Sequence, residues 1–276
     1  MSKHVMECLG LSRVTIEDGK VVDVTEPKVK YCPLFDQVRG IKELNKDTVR
    51  ENIEYRMKTF GMCCENRQTE MDNFLSFGIS EILCLALKNK KIEAAVIAAD
   101  GCGTAVIRNP CIVQGMGGRI SGIRETEPIP KVIEAIGPEN VIDPDTAKID
   151  MVEGVCLAYD KGMHKVAVTT ASVEDAWVMR DMFGSDLIIM GVHTSGMTEK
   201  QAEDAFELFD VITACASKSI RDMYHRSPEK YLAAGSKVPV YGITDQGKEL
   251  IMDKLKELGR EPYDGSTPEK PPYPLI

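Results

Sequence analysis

The sequence lacks any excess of basic residues: 43 Asp and Glu against 34 Lys and Arg leave a formal net charge of −9. That balance argues against non-specific binding to nucleic acid or anionic lipid, since both need a basic surface. No apolar run approaches the length that spans a bilayer, and the first ten residues contain no apolar signal-peptide core. These absences predict a cytoplasmic protein with neither a nucleic-acid nor a membrane partner. Nucleotide-cofactor motifs are missing too. No Gly-Lys is followed by Ser or Thr, and the glycine spacing from Gly115 or Gly101 fails at Ile120 or Val106, where a third dinucleotide-fold glycine belongs. The nine cysteines include no Cys-x-x-Cys, and an odd number without a secretion signal does not form a disulfide framework.

What is present centres on residues 93–122, EAAVIAADGCGTAVIRNPCIVQGMGGRISG. The apolar run Ala94 to Ala99 reads as a buried strand ending at Asp100-Gly101. About twenty residues of glycine-rich sequence then follow with no convincing helix, and long structureless stretches inside a domain are commonly functional. This stretch is the expected floor of a binding site. Its candidate ligand contacts are Gly101, Gly103, Thr104, Gln114, Gly117, Gly118 and Arg119, the last suited to an anion.

Around it the chain alternates. Arg13 to Thr25 reads as a hairpin turning at Asp18-Gly19, Cys32 lies extended before Pro33, and a helix runs from Lys46 to Phe60 between Asn45 and Gly61. A second helix spans Ser80 to Asn89, a third Pro130 to Ile136 and a fourth Asp150 to Lys161, with a short strand at Asn140 to Ile142. Strands at Lys165 to Thr170, Asp186 to Gly191, Asp210 to Ala214 and Lys237 to Ile243 each precede a helix. This alternation predicts an α/β fold with a mainly parallel sheet. Residues 1–92 form an N-terminal hairpin and helical region, 93–261 the core, and 262–276 a proline-rich tail.

Ligands of open α/β sheets bind outside the carboxyl ends of the strands. Those ends carry Asp100, Cys102, His193 and Cys215, the candidate catalytic residues, with Thr194, Ser195 and Ser217 as further ligand contacts. Hydroxyls after strands also arise from helix capping alone. His193 at a strand end suits proton transfer near neutral pH, and Cys102 or Cys215 could act as a nucleophile with His193 as base. Several cysteines lie near turns. Three or four converging thiolates would hold an iron–sulfur cluster, with Cys32, Cys63, Cys64 and Cys111 as candidate ligands; the alternative is reduced, unligated thiols.

The segments KYCPLF, FGISEIL, DGCGTAV, NPCIVQGMGGRISG, VHTSG and VITACASKSIRDM, in this order, resemble the methanogenesis marker protein 8 family. The resemblance runs from about Val5 to about Gly259. It implies an archaeal, anaerobic cytoplasm linked to methane metabolism, where iron–sulfur and thiol chemistry are common. The family offers no assigned catalytic residue to carry over. Two functions are expected to compete: an enzyme or cofactor-assembly factor taking a small anionic or sulfur-containing ligand at the rim, and a non-catalytic accessory protein that helps mature a methanogenesis enzyme such as methyl-coenzyme M reductase.

Overall fold

The computed structural model describes residues 2–72, 77–118 and 122–276. It opens with three strands, β1 (Lys3–Glu7), β2 (Arg13–Glu17) and β3 (Lys20–Val24). Asp18 and Gly19 join β2 to β3 with both φ angles positive, as the expected hairpin turn demands. Helix α1 (Pro33–Arg39) starts directly at the proline, with Cys32 extended before it. Helix α2 (Lys46–Phe60) begins at a capping box in which Asn45 and Thr48 exchange side-chain bonds, and it ends at Gly61 with φ 71°.

Helix α3 (Ile79–Lys88) leads into β4 (Ala94–Ala99). The glycine-rich stretch then departs from expectation. Gly101 and Gly103, both at positive φ, turn the chain back as β5 (Gly103–Ile107), antiparallel to β4. A short α4 (Pro110–Ile112) runs into one π-helical turn at Val113–Gly117, followed by β6 (Gly122–Glu125). Helices α5 (Pro130–Ile136) and α6 (Met151–Asp160) come next. Asn140 to Ile142, expected as a strand, gives a single bridge from Val141 to Ala105.

The remainder alternates as read: β7 (Val166–Thr170), α7 (Val173–Phe183), β8 (Ile188–Gly191), α8 (Glu199–Leu208), β9 (Val211–Thr213) and α9 (Lys218–Arg226). It closes with β10 (Leu232–Ala234), β11 (Val240–Gly242) and α10 (Asp245–Glu257).

Two sheets result. The larger runs β10-β11-β9-β8-β7-β4-β5, and the smaller, β3-β2-β1-β6, is antiparallel throughout. The expectation of a mainly parallel sheet needs correcting. Strands β4, β7, β8 and β9 pair in parallel, but both margins are antiparallel, so the large sheet is mixed. At β4–β5 and β10–β11 the reason is connection length: a parallel neighbour needs a crossover of a dozen or more residues, whereas these links are short turns. The α9 crossover leads into β10, and the turn after β10 reverses the chain so that β11 meets β9 antiparallel.

Alternation along the central strands feeds two cores. Ala95, Ile97 and Ala99 face α3, α5 and α10; Ala94, Val96, Val166 and Val168 face α6 to α9. A third core joins the small sheet to α2 through Val14, Ile16, Val49 and Ile53. Because β6 lies in the small sheet, the stretch after the glycines ties the two sheets together beside the carboxyl ends of β8 and β9.

Candidate functional site at the carboxyl rim

A cleft of about 700 Å³ opens where the parallel strands end. Thr169 and Thr170 come from β7, Val192 and His193 follow β8, and Thr213 and Cys215 come from β9 and the turn after it. The amino-terminal ends of four helices reach the same space: Ile79 and Ser80 of α3, Met151 of α6, Ser172 before α7, and Met197 before α8. Such ends present unpaired backbone N–H groups and the positive pole of the helix dipole. The π turn contributes Val113 and Gly117, and π turns in other proteins are frequently associated with functional sites.

Two strand ends share an uncommon backbone feature. His193 has φ 53° and Cys215 φ 43°, a left-handed conformation that costs non-glycine residues energy and concentrates at functional sites. Neighbouring parallel strands thus each end in a strained residue that lines the cleft. The His193 ring packs against the backbone at Gly122, where an added Cβ would lie 3.5 Å from Cγ and Cδ2. The residue is exposed to the water of the cleft, and the walls around it partly strip its hydration. That desolvation draws its pKa below the ordinary histidine value; Glu7 opposes the shift and Arg124 adds to it. Glu7 of β1 and Arg124 of β6 pair at 2.8 Å across the small sheet. No local pattern marked either residue; the β1–β6 pairing alone brings them to His193.

The Cys215 thiol is pushed up by burial, against the pull of N–H groups from Thr194 and His193. Ser195 lines the cleft and its hydroxyl accepts from Ala216 N at 3.0 Å. Thr194 lies beneath, donating to Thr213 O at 2.6 Å, and Ser217 caps α9. Gln114 is buried under the floor, its amide donating to Glu81 Oε1 at 2.7 Å. Gly118 packs on Gln114, 2.7 Å separating its would-be Cβ from Nε2. Arg119 lies outside the described residues.

Asp100 does not reach the cleft. It is wholly buried in an ion pair with Arg67, whose Nε lies 3.0 Å from Oδ2, and that oxygen also accepts from Cys63 N at 2.7 Å. Gly101 N donates to Thr126 Oγ1 at 2.8 Å, and the same oxygen lies 2.7 Å from His4 Nδ1. This polar seam joins the two sheets. His4 is buried in it, and its pKa is lowered by desolvation against the attraction of Asp100 and Glu127. Cys102 is equally enclosed in the turn, with burial pushing its thiol up to about 12, far from a reactive thiolate at neutral pH. Thr104 accepts from Asp150 N at 2.9 Å, and Gly103 presses against Ala147 and Lys148. The glycine stretch therefore divides: its first turn is architecture, whereas its π turn and Gly122 border the cleft.

The four thiols expected to hold a cluster do not fit one. Cys63 is buried beside Asp100. Its neighbour Cys64 donates to Gly61 O, and Cys111 faces Asp72 at the surface of α4. Cys32 stands ahead of α1. Among the described residues, no three or more His, Cys, Asp or Glu side chains form a group that could hold a metal ion.

Fold and cleft together define an α/β protein with a ligand-sized cavity at the carboxyl rim of a mixed sheet. Residues 4–256 match the family described as an uncharacterized protein conserved in archaea, DUF2099, and the chain belongs to it. An uncharacterized protein of Methanocaldococcus jannaschii is 44% identical over 265 residues, covering 94% of this chain and 93% of the relative. No solved structure matches. No helix among the described residues is long and apolar enough to cross a membrane.

Proposed function

We propose that the protein is an enzyme, or an enzyme-like cofactor-assembly factor, that takes a small anionic or sulfur-containing molecule in the rim cleft. The observation that carries this reading is the convergence of His193 and Cys215, both in strained backbone, on a cavity of about 700 Å³; that volume is typical of small-molecule sites. The four helix starts favour negative charge on the ligand. Among the charged lining side chains, Arg124 is paired with Glu7, whereas Glu81, Glu174 and Asp175 are acidic. His193 is the rim group suited to accept a proton near neutral pH; Cys215 offers a thiol. The resemblance to methanogenesis marker protein 8 supports reading the ligand as part of anaerobic, sulfur-rich methane metabolism. A thermal-shift screen of phosphate-, carboxylate- and thiol-bearing metabolites tests this. A hit is expected to raise the wild-type melting temperature, and to lose that effect in His193→Ala; a hit that stabilises both equally places its site elsewhere.

One surface feature favours the accessory reading instead. Trp177, the chain's single tryptophan, is 61% exposed on α7 beside the exposed Val178 and Met182. Exposed tryptophan in an apolar patch is a common anchor of protein interfaces. In this second reading that face of α7 docks on a methanogenesis enzyme, and the rim is secondary.

A further inference from the structure

We propose that Cys32 and Cys215 are a dithiol pair that closes reversibly to a disulfide by exchange with a small-molecule disulfide entering the cleft. The carboxyl-terminal tail supplies the geometry. Tyr273 exchanges backbone bonds with Tyr31, at 2.9 and 3.0 Å, and three residues later Ile276 N donates to Ala216 O at 2.9 Å while Ile276 O accepts from Lys218 N. One short stretch therefore grips the residue before Cys32 and the residue after Cys215. Three residues of chain reach about 10 Å at most, so two segments 183 positions apart in sequence are fastened to tail residues within that distance of each other. The two thiols are near enough that charge on Cys32 is felt at Cys215.

Burial raises the pKa of both thiols, and at each sulfur backbone donors oppose that shift. Leu34 and Phe35 N–H groups face Cys32 at the start of α1, and those of Thr194 and His193 face Cys215. Cys215 lines the cleft, so it is the sulfur that an incoming molecule meets. Both cysteines are free thiols in this structure.

The exchange balances in two steps. The Cys215 thiolate attacks one sulfur of the small disulfide, forming a mixed disulfide and expelling one small thiolate, which takes up a proton. The Cys32 thiolate then attacks the Cys215 sulfur, closing the protein disulfide and expelling the second small thiolate, protonated likewise. The protein loses two electrons and two protons, and the small disulfide becomes two thiols. The pair does not depend on the ligand reading above: it stands or falls on the linkage itself.

The test uses the full chain in oxidised glutathione buffer, followed by alkylation of free thiols, tryptic digestion without reduction and mass spectrometry. The tryptic peptides 31–39 and 201–218 each carry a single cysteine, Cys32 and Cys215. The expected product is these two peptides linked, as the dominant disulfide among nine cysteines. Cys32→Ser is expected to lose the linkage completely and leave Cys215 as a glutathione mixed disulfide; Cys215→Ser is expected to leave Cys32 unmodified. Circular dichroism of both serine variants checks that they fold. A wild-type protein that stops at the mixed disulfide, stays fully reduced, or links other cysteines in preference overturns the proposal.

Discussion

Asp100→Ala is expected to destabilise the protein rather than silence it. The substitution leaves the Arg67 guanidinium without its carboxylate, and both side chains are fully buried. It also removes the acceptor of Cys63 N. Breaking a buried pair from one side costs about 3–5 kcal/mol, which for a chain of this size lowers the melting temperature by roughly 10 °C. The loss comes from the charge left behind, so replacing both partners by apolar residues is expected to recover most of it. Denaturant titration of Asp100→Ala beside the Arg67→Met/Asp100→Leu double variant measures this. A single variant as stable as wild type would show that the ion pair does not hold the two sheets together.

Gly103→Ala is expected to be comparably severe. The residue has φ 63°, and a Cβ there would lie 2.1 Å from Ala147 O and 2.3 Å from Lys148 O. The left-handed conformation costs an L-residue about 1–2 kcal/mol, and forcing backbone apart in a packed interior adds about 1–3 kcal/mol. Gly235 is the matched control: its φ is 82°, but nothing lies within 4 Å of the added atom. Gly235→Ala is therefore expected to cost only the conformational part. Equal unfolding midpoints for the two variants would mean that the hairpin turn yields, and that contact with residues 147–148 is not what requires glycine there.

Both predictions concern residues that the sequence offers as catalytic or ligand-binding, and the reason they read so is physical. Asp100, Gly101, Cys102 and Gly103 follow a buried strand, where a sheet places its ligands, and glycines permit both ligand approach and tight turns. What decides between these is Arg67, 33 positions earlier, and no periodicity signals that contact. The elements set by local chemistry were legible: the Asn45 cap and Gly61 stop of α2, the Asp18-Gly19 turn, and the apolar strands from β7 to β9. Antiparallel margins were not. Strand β10 is three residues long, too short to show alternation, and β5 hides in a stretch whose glycines suggest loop. His193, Ser195 and Cys215 were legible as rim residues because they follow strand ends, and Gly117 because it lies in the glycine-rich stretch; all four line the cleft. Glu7 and Arg124, which flank His193, depend on a pairing between residues more than a hundred positions apart.

The division of the glycine stretch into architecture and cleft makes the rim around His193 and Cys215 the centre of the account. The most direct test is complementation of an archaeal strain deleted for its own copy, with His193→Ala and Trp177→Ser compared at equal levels of soluble protein by immunoblot. Trp177→Ser is expected to restore the wild-type phenotype, and His193→Ala, though folded and abundant, is expected not to. Full complementation by His193→Ala, with failure of Trp177→Ser, would contradict this and move the function from the cleft to the exposed face of α7.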